Sequence, residues 1–316
     1  MLTESRNFTG AISRLPAHWE PSPPPWVSEW LGEARFVDDK GPHDQFPVRV
    51  CTAGGASLVQ VVIPAVPKMD ILTLQQSVAD AYRAVFDRLG SAHPVRFWAF
   101  VPDIHAEMGP DLDRYMAFNA GRFAAFSAWF GGRESFGRTL PTASAVGTSG
   151  SELYIYCLAV ASPGMPLENP RQVPAYRYSR RFGPMPPCFA RATRVTRADA
   201  HLLLVGGTAS IRGEESMHLG HVGKQCDETF HNLASLIRLA AGEVAVPPEE
   251  NSLAALRAFR ELRVYYMKPE DADLVLDRVK AHFSSVRRLE LVRAELCRRE
   301  LLVEIEGVAD PSLTPA

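Results

Sequence analysis

The sequence runs twice through the same pattern of predicted elements, and this duplication is the feature that most limits the possible folds. The pattern is easiest to see in one amphipathic helix of each half. Tyr82 and Val85 hold the places in the first half that Phe230 and Leu233 hold in the second. A chain of 316 residues is also long for a single domain, so two copies of one unit are the simplest organisation.

Each half is predicted to contain a β-like run, a helix, a strand, a second helix and a closing strand. In the first half these lie at 57–66, 77–90, 95–104, 113–130 and 151–160. In the second half they lie at 201–211, 227–242, 258–267, 269–283 and 298–309. The sequence therefore predicts an α+β fold of two β-α-β-α-β units, with mixed sheets each covered on one side by helices.

The composition changes along the chain and divides it into four parts. Residues 1–47 are rich in Pro and Trp and are predicted to form an irregular N-terminal arm. The first unit is predicted at 48–165, an Arg- and Pro-rich connection at 166–198, and the second unit at 199–310. The second unit is expected to be the catalytic one, because its last predicted strand carries the candidate acid.

The connection is unusual because its positive charge comes from arginine alone. Between residues 168 and 197 it contains no Lys but has Arg171, Arg177, Arg180, Arg181, Arg191, Arg194 and Arg197. A guanidinium group can bind a carboxylate through two hydrogen bonds, so the set indicates anion binding. For any single arginine, a solvated and Pro-stiffened connection explains the residue equally well.

The overall charge and the cysteines exclude several classes of protein. The net charge is −2, which argues against general binding of nucleic acids or acidic membranes. No apolar run approaches the roughly 20 residues of a membrane helix, and the N-terminus has no signal-peptide pattern. The five cysteines form no C-x-x-C pair, which indicates a reducing compartment. We therefore expect a cytoplasmic protein without nucleic-acid or membrane partners.

The last predicted strand carries two acids among apolar residues. Glu304 and Glu306 share one strand face with Leu302 and Val308. A carboxyl buried in such a face would have a raised pKa and could serve as a general acid. The alternative is an edge strand whose acids pair with surface arginines, and this is the preferred interpretation for Glu306. Cys297, taken alone, would be a small buried apolar residue.

The second half resembles the Rid superfamily of reactive-intermediate deaminases, also called YjgF-like. The similar stretches are "GTASI" at 207–211, "GHVGKQCDETFHNLASLI" at 220–237 and "LLVEIEGVA" at 301–309, where Glu304 matches the first Glu of the family signature. This resemblance implies two Rid/YjgF-like, chorismate-mutase-like units. Rid deaminases bind the substrate carboxylate with an Arg fifteen residues before that Glu, whereas this chain has Leu289 there, beside Arg288.

Most of the chain, from about 50 to 310, resembles the chorismatases, in which a degenerate copy precedes an Rid-like half. The resemblance rests on "VGTSGSELYIYCLA" at 146–159, "ENPRQVPAYRYSRRFGP" at 168–184, "FARATRV" at 189–195, and a Cys seven residues before the signature Glu. It implies cleavage of chorismate with release of pyruvate and without a metal or organic cofactor. Assembly as a monomer or as a trimer is left open.

The resemblance also implies roles for particular residues. Glu304 would be the general acid that protonates the enolpyruvyl methylene carbon. Cys297 would direct the reaction to 3-hydroxybenzoate, with 4-hydroxybenzoate as a second product left open. Arg177 and Arg191 lie in the stretches most similar to the family and are expected to contact the substrate carboxylates. The other predicted substrate contacts are Tyr154, Thr208, Ala209 and Ser210, although core packing explains the tyrosine and a β-turn the other three equally well.

Three alternatives remain at this point. A hydrolytic chorismatase would give a dihydroxycyclohexadiene carboxylate, and Cys297 argues against it because a small residue is associated with that subtype. An enamine or imine deaminase of the Rid type is weakened by Leu289. A non-catalytic metabolite sensor would use the same pocket without turnover.

Overall fold

The computed structural model describes residues 8–41, 44–197, 200–243 and 253–313. Within these ranges the strands are β1 (Ala11–Arg14), β2 (Val37–Asp38), β3 (Val48–Ala53), β4 (Ala56–Ile63), β5 (His93–Pro102), β6 (Glu107–Gly109), β7 (Leu112–Asp113), β8 (Thr142–Thr148), β9 (Leu153–Val160), β10 (Met165–Leu167), β11 (Ala192–Arg197), β12 (Ala200–Ala209), β13 (Ile211–Arg212), β14 (Glu215–Ser216), β15 (Phe259–Tyr266), β16 (Arg288–Arg293) and β17 (Val303–Ala309).

Six α-helices and several single turns of 3-10 helix lie between these strands in the described ranges. The α-helices are α1 (Pro25–Leu31), α2 (Ile71–Asp87), α3 (Arg114–Phe130), α4 (Phe136–Thr139), α5 (Val222–Ala240) and α6 (Ala272–His282). The 3-10 helices are Val66–Lys68, Ala175–Arg177, Arg180–Phe182, Leu253–Ala258, Pro269–Asp271 and Pro311–Leu313.

The duplication predicted from the sequence is visible in the sheet topology. One six-stranded sheet has the order β2-β3-β4-β9-β5-β8, and one seven-stranded sheet has the order β1-β16-β15-β17-β12-β11-β10. Within them, β3-β4-β9-β5-β8 corresponds strand for strand to β11-β12-β17-β15-β16. In each unit one pair is parallel, β5 with β8 and β15 with β16, while the other pairs of the unit are antiparallel. The predicted α+β fold with mixed sheets is confirmed.

Each unit has two strands more than the sequence predicted, so the pattern is β-β-α-β-α-β-β. The additional strands are β3 and β8 in the first unit and β11 and β16 in the second. The sequence of β8, "TASAVGT", is built from small residues that are buried almost throughout, so it has no apolar–polar alternation to reveal a strand. Strands β8 and β16 pair in parallel with β5 and β15, which places them at one edge of the repeated five-stranded sheet.

Helices cover the outer face of each sheet, while the inner faces pack on each other. In the first unit α2 and α3 bury Leu74, Val78 and Phe118 against β4, β5 and β9. In the second unit α5 and α6 cover β12, β15 and β17 in the same way. A third cluster joins the two inner faces and includes Trp98 of β5 and Tyr265 of β15. The result is a helix–sheet–sheet–helix arrangement, so residues on the inner face of β17 are buried between the units.

The segment predicted as an irregular arm contains regular structure in its described part. Strand β1 extends the second sheet by pairing in parallel with β16. Helix α1 packs on the inter-sheet core, where the Trp26 ring lies 5.8 Å from the Trp98 ring, centroid to centroid. Apolar contacts therefore attach this segment to both sheets, and the division of the chain at residues 47, 165 and 198 stays a prediction.

Several element boundaries differ from the predicted ones. Helix α2 begins at Ile71 rather than residue 77 because Asp70 caps it, accepting a hydrogen bond from the Thr73 amide at 2.7 Å. The closing strand β17 begins at Val303 rather than at residue 298. Residues 297–302 instead form a turn and an irregular segment, so Cys297 lies on a connection between β16 and β17. No described helix combines the length and apolar character needed to cross a bilayer.

Candidate active site

A cavity of about 610 Å³ opens where the two units and their connection meet. The first unit contributes His105, Asp113, Tyr115 and Met116 to its wall. The connection contributes Tyr178, Arg181, Phe182, Pro187, Phe189 and Arg191. The second unit contributes Gly207, Ala209, Ile211, Glu215, Ser216, Leu219, Cys297, Arg298, Arg299, Glu300 and Glu304. The wall therefore combines aromatic side chains with fixed positive charge and one buried carboxyl group.

Glu304 is the buried carboxyl group of this wall. It lies on the inner face of β17 with only 4% of its surface exposed, and within the described part of the chain its carboxyl group makes no hydrogen bond. Burial raises the pKa of Glu304 to about 8; the negative charge of Glu306 adds to the shift, and Arg96 and Arg191 oppose it. The group is therefore largely protonated at neutral pH and can donate a proton into the cavity.

Gly207 leaves the space that the Glu304 side chain occupies. A Cβ atom at residue 207 would lie 2.0 Å from Oε1 and 2.7 Å from Cδ of Glu304, which is far inside van der Waals contact. The strand register shifts on β12 between Val205 and Thr208, next to this glycine. Ala209 pairs directly with Glu304 across the two strands and also lines the cavity. The small residues Gly207 and Ala209 therefore keep the Glu304 carboxyl group accessible.

Glu306 has the opposite environment, although it lies only two residues along the same face. Its carboxylate accepts hydrogen bonds from the Arg96 guanidinium at 2.6 Å, the Trp98 indole at 3.0 Å, and the Ser144 hydroxyl. The Tyr265 hydroxyl donates a further bond at 3.3 Å. The expectation that Glu306 pairs with surface arginines is wrong, because the partner is a buried arginine of the first unit. Glu306 is thus a structural ion-pair residue between the units.

Cys297 lies in the turn before β17 and lines the cavity beside Glu304. Burial, together with the nearby Glu304 carboxyl group, raises the pKa of this thiol to about 12, while Arg298 and Arg191 oppose the shift. The thiol is therefore protonated at neutral pH. A nucleophilic role for this sulfur would therefore require removal of its proton.

Two arginines of the cavity wall each have a buried nitrogen atom without a protein acceptor. Arg191 is 3% exposed and donates to the Val173 carbonyl at 3.0 Å and to the Tyr178 hydroxyl at 2.6 Å, but its Nε is unpaired. Arg298 donates to the Glu214 carbonyl at 2.8 Å, and its Nη2 is unpaired. Both guanidinium groups are therefore held in place, and each has one nitrogen whose hydrogen-bonding capacity no protein group uses.

Of the eight predicted site residues, the structure brings Glu304, Cys297, Arg191 and Ala209 to the cavity wall. It does not bring Arg177 there. That side chain is exposed, and its guanidinium group lies 5.7 Å from the centroid of the neighbouring Tyr176 ring. Of the seven arginines of the connection, only Arg181 and Arg191 line the cavity, so the set as a whole is not one anion site.

The other three predicted contacts also lie outside the cavity wall. The Tyr154 hydroxyl donates to Glu152 and its ring packs against the inter-sheet core. Thr208 pairs with Ile305, a residue of the helix-side core, and donates to the Gly206 carbonyl at 3.0 Å. The Ser210 hydroxyl donates to the Met217 carbonyl at 3.0 Å. Strand alternation turns Thr208 and Ser210 away from the face on which Ala209 meets Glu304.

Sequence reasoning missed His105, Tyr115, Gly207 and Arg298, which line the cavity. Arg298 follows Cys297 directly, and the sequence assigned it to a strand instead of a turn. His105 and Tyr115 belong to the first unit, which was expected to be a degenerate copy, so site residues were expected mainly in the second unit. Among the described residues, no cluster of three or more His, Cys, Asp or Glu side chains is arranged to hold a metal ion.

Comparisons with known proteins identify the family of this chain. A family profile described as chorismatase FkbO/Hyg5-like, N-terminal, matches residues 43–159. A 3-hydroxybenzoate synthase of Streptomyces hygroscopicus is 35% identical over 239 residues, 72% of this chain and 67% of that protein. A chorismatase of Streptomyces rapamycinicus is 33% identical over 73% of this chain and 69% of its own. A crystal structure of a chorismatase superposes with a TM-score of 0.73 at 26% identity, covering 87% of this chain and 78% of that one. The chain belongs to the chorismatase family.

Proposed function

We propose that this protein converts chorismate to 3-hydroxybenzoate and pyruvate. The observation that carries the proposal is the protonated Glu304 carboxyl group, which faces a cavity with two fixed guanidinium groups. Chorismate carries two carboxylates and an enol ether, so it needs two cationic contacts and one proton donor. The relative named 3-hydroxybenzoate synthase supports the choice of product.

Arg191 and Arg298 are the proposed partners of the two substrate carboxylates. Each has a buried N–H without a protein acceptor, and a substrate carboxylate would be that acceptor. The arginine expected from the sequence, Arg177, lies outside the cavity wall, and Arg298 takes its place in this proposal. The Tyr178 and Phe182 rings next to Arg298 form an apolar surface suited to the substrate ring. Charge and shape thus orient the enol ether toward the remaining wall, where Glu304 lies.

Glu304 is the proposed general acid. Its O–H gives the proton to the enolpyruvyl methylene carbon, which creates an oxocarbenium ion at the ether carbon. Cleavage of the bond between the ring carbon and the ether oxygen then releases pyruvate. General acid catalysis of this kind contributes about 10²- to 10⁴-fold to a rate. Because the donor is a carboxylic acid that burial keeps neutral, the step needs no other proton source at pH 7.

Cys297 is the proposed product-determining residue. Its neutral thiol borders the position of the reacting ring and favours an arene-oxide-like species, which becomes aromatic, over capture by water. The same species can open to 3-hydroxybenzoate or to 4-hydroxybenzoate. Aromatisation makes the overall conversion irreversible. The thiol therefore affects which product forms more than how fast chorismate is consumed.

We further propose that the chain acts on this small molecule in the cytoplasm, as a monomer or as a trimer. Sedimentation velocity under assay conditions would measure the assembly. A trimer that loses activity on dilution would show that subunit contacts matter.

The decisive experiment incubates purified protein with chorismate, follows pyruvate with a coupled lactate dehydrogenase assay, and separates the ring products by chromatography. Pyruvate with 3-hydroxybenzoate is the expected result. Pyruvate with only a dihydroxycyclohexadiene carboxylate would identify the hydrolytic alternative. If neither pyruvate nor an aromatic acid forms, the proposal is wrong, and a deaminase or a metabolite sensor becomes the better explanation.

A further inference from the structure

Three side chains of the cavity wall have buried polar atoms without a partner among the described protein groups. Two are the guanidinium groups of Arg191 and Arg298, each with one nitrogen that has no acceptor. The third is His105, which is 5% exposed and has neither ring nitrogen hydrogen-bonded. Of these three, only the imidazole can accept a proton. A cavity of this composition matches a ligand with two anionic groups and one group that gives up a proton.

The backbone around His105 is held rigidly. His105 follows β5 in a turn in which Asp103 has a φ of 44°, a left-handed conformation that is costly for a residue other than Gly. Arg114 donates to the Pro102 carbonyl at 2.8 Å and to the Asp103 carbonyl at 3.2 Å. The Tyr115 amide donates to the Ile104 carbonyl at 3.0 Å. These bonds place the imidazole at the cavity and keep it there.

Asp113 lies behind the imidazole. Its Oδ2 is 3.8 Å from Nδ1 of His105, while its Oδ1 accepts the Met116 amide at 2.9 Å as the N-cap of α3. The cap fixes one oxygen and leaves the other facing the ring. A carboxylate at this place favours the tautomer with hydrogen on Nδ1, because Nδ1–H can then point at Oδ2. Nε2 is thereby left as an acceptor, as in other His–Asp pairs that act as bases.

We propose that His105 is a further catalytic residue that takes the proton of the substrate's ring hydroxyl, and that Asp113 is its positioning residue. This rests on the proposed function. While Glu304 protonates the methylene carbon, the hydroxyl oxygen attacks the adjacent ring carbon and its proton moves to Nε2. The new carbon–oxygen bond closes the epoxide. The breaking ether bond leaves its electron pair on the oxygen that becomes the keto oxygen of pyruvate.

The second half of the reaction returns both protons. The epoxide opens at the carbon that carried the hydroxyl, and its oxygen, retained on the neighbouring carbon, receives the proton from Nε2. The hydrogen on that neighbouring carbon leaves as a proton, taken by the Glu304 carboxylate, and the ring becomes aromatic. Both residues are back in their starting protonation states, and no water or external oxidant is consumed. The sum of the two products has the composition of chorismate.

The test uses His105→Asn, His105→Ala and Asp113→Asn in the full chain, with exposed His201→Ala as the matched control. Asn at residue 113 can still cap α3, so that variant changes the charge behind the imidazole and not the helix. For both His105 variants we expect kcat for 3-hydroxybenzoate to fall about 10²-fold or more with KM within about threefold. Added imidazole should restore part of the rate of His105→Ala in a concentration-dependent way. Asp113→Asn should lower kcat by about tenfold, because a neutral amide no longer favours the tautomer of His105 with hydrogen on Nδ1.

Circular dichroism and thermal melts would first establish that the variants fold like the wild type. The assignment is overturned if either His105 variant keeps kcat within about threefold of wild type, if the loss appears in KM alone, or if imidazole leaves His105→Ala unchanged. Failure of the proposed function gives a different result, because wild-type protein would then release no pyruvate from chorismate. Imidazole should have no effect on the wild type or on His201→Ala.

Discussion

The two units share one sheet topology but place different side chains on corresponding strands. The closing strand β17 of the second unit carries Glu304 and Glu306, whereas the closing strand β9 of the first unit carries Tyr154 and Tyr156 at the inner face. The Tyr156 hydroxyl donates to the Pro21 carbonyl at 2.8 Å and accepts from Gln60 at 2.6 Å. One closing strand therefore carries the proposed proton donor, and the other attaches the N-terminal segment.

The buried arginines of the two central strands show the same division. Arg263 of β15 pairs with Glu290 inside its own unit, at 2.7 Å. Arg96 of β5 instead pairs with Glu306 of the other unit, at 2.6 Å. The first unit thus contributes its cation across the interface and contributes His105 and Tyr115 to the cavity. The copy without the signature acid therefore supports the copy that has it and completes the cavity wall around Glu304.

Replacing the acid of the second unit should have the largest effect. In Glu304→Gln the side chain keeps its shape but has no proton to give, so we expect turnover of chorismate to fall by about 10²- to 10⁴-fold. Coupled pyruvate release measures the rate. Glu300→Gln, on the same wall but exposed, is the matched control and should stay within about threefold of wild type. Wild-type pyruvate release in Glu304→Gln would mean that the acid is another residue.

Filling the space beside the acid should have the next largest effect. In Gly207→Ala the new methyl group would overlap Oε1 of Glu304, so the carboxyl group must move. A displacement of about 1 Å costs about 10²-fold in rate. The measurement is kcat together with a thermal melt, because a folded but inactive variant supports steric displacement. If kcat and the melting temperature both match wild type, Glu304 does not occupy the place described here.

Breaking the ion pair between the units should appear in stability. Glu306→Gln leaves Arg96 buried without its counter-charge, and we expect a loss of about 3–5 kcal/mol in the free energy of unfolding. Urea titration followed by tryptophan fluorescence measures it. The control is Glu215→Gln, which removes the carboxylate of the exposed pair of Arg181 and Glu215. It should cost much less stability, because water solvates both side chains. Equal losses in the two variants would contradict the assigned role of Glu306.

The pH dependence should distinguish the acid of the second unit from ordinary carboxylates. Burial raises the pKa of Glu304 to about 8, so kcat/KM should fall about tenfold per pH unit above that value, as the proton is lost. Because the folded-state pKa lies above the ordinary value, the folded protein binds this proton more tightly. The free energy of unfolding should therefore decline as pH rises from about 4.5 to 8. Glu304→Gln should lack this contribution; an identical pH profile in that variant would contradict the assignment.

Changing the thiol should have the smallest effect on rate. Cys297→Ala removes the sulfur but leaves Glu304 and both arginines, so consumption of chorismate should stay within about tenfold. The ratio of 3-hydroxybenzoate to non-aromatic product should fall, as chromatography would show. Cys226→Ala, a fully buried cysteine outside the cavity wall, is the control for thiol removal. An unchanged product ratio in Cys297→Ala would make this sulfur a packing residue.

Much of the fold and part of the site could be predicted because the signals are local. Helical periodicity around Phe230 and Leu233 identified α5, and the family resemblance located Glu304 and Cys297. The small residues of β8 have no such period, so that strand was missed. Arg298 and His105 could not be assigned because nothing near them in the sequence indicates that they meet. Their place depends on the turn at 297–302 and on the packing of one unit against the other.

The amino-acid order alone determined that the chain is a duplicated α+β protein of the chorismatase type, with one unusual acid near its end. These properties follow from periodicity and from short motifs, which act over a few residues. Only the tertiary structure decided that Glu304 is protonated while Glu306 is an ion-pair partner, although the two share a strand face. The reason is that the surroundings of each group come from distant parts of the chain. Arg96, Trp98 and Ser144 of the other unit bind the Glu306 carboxylate, whereas burial raises the pKa of Glu304.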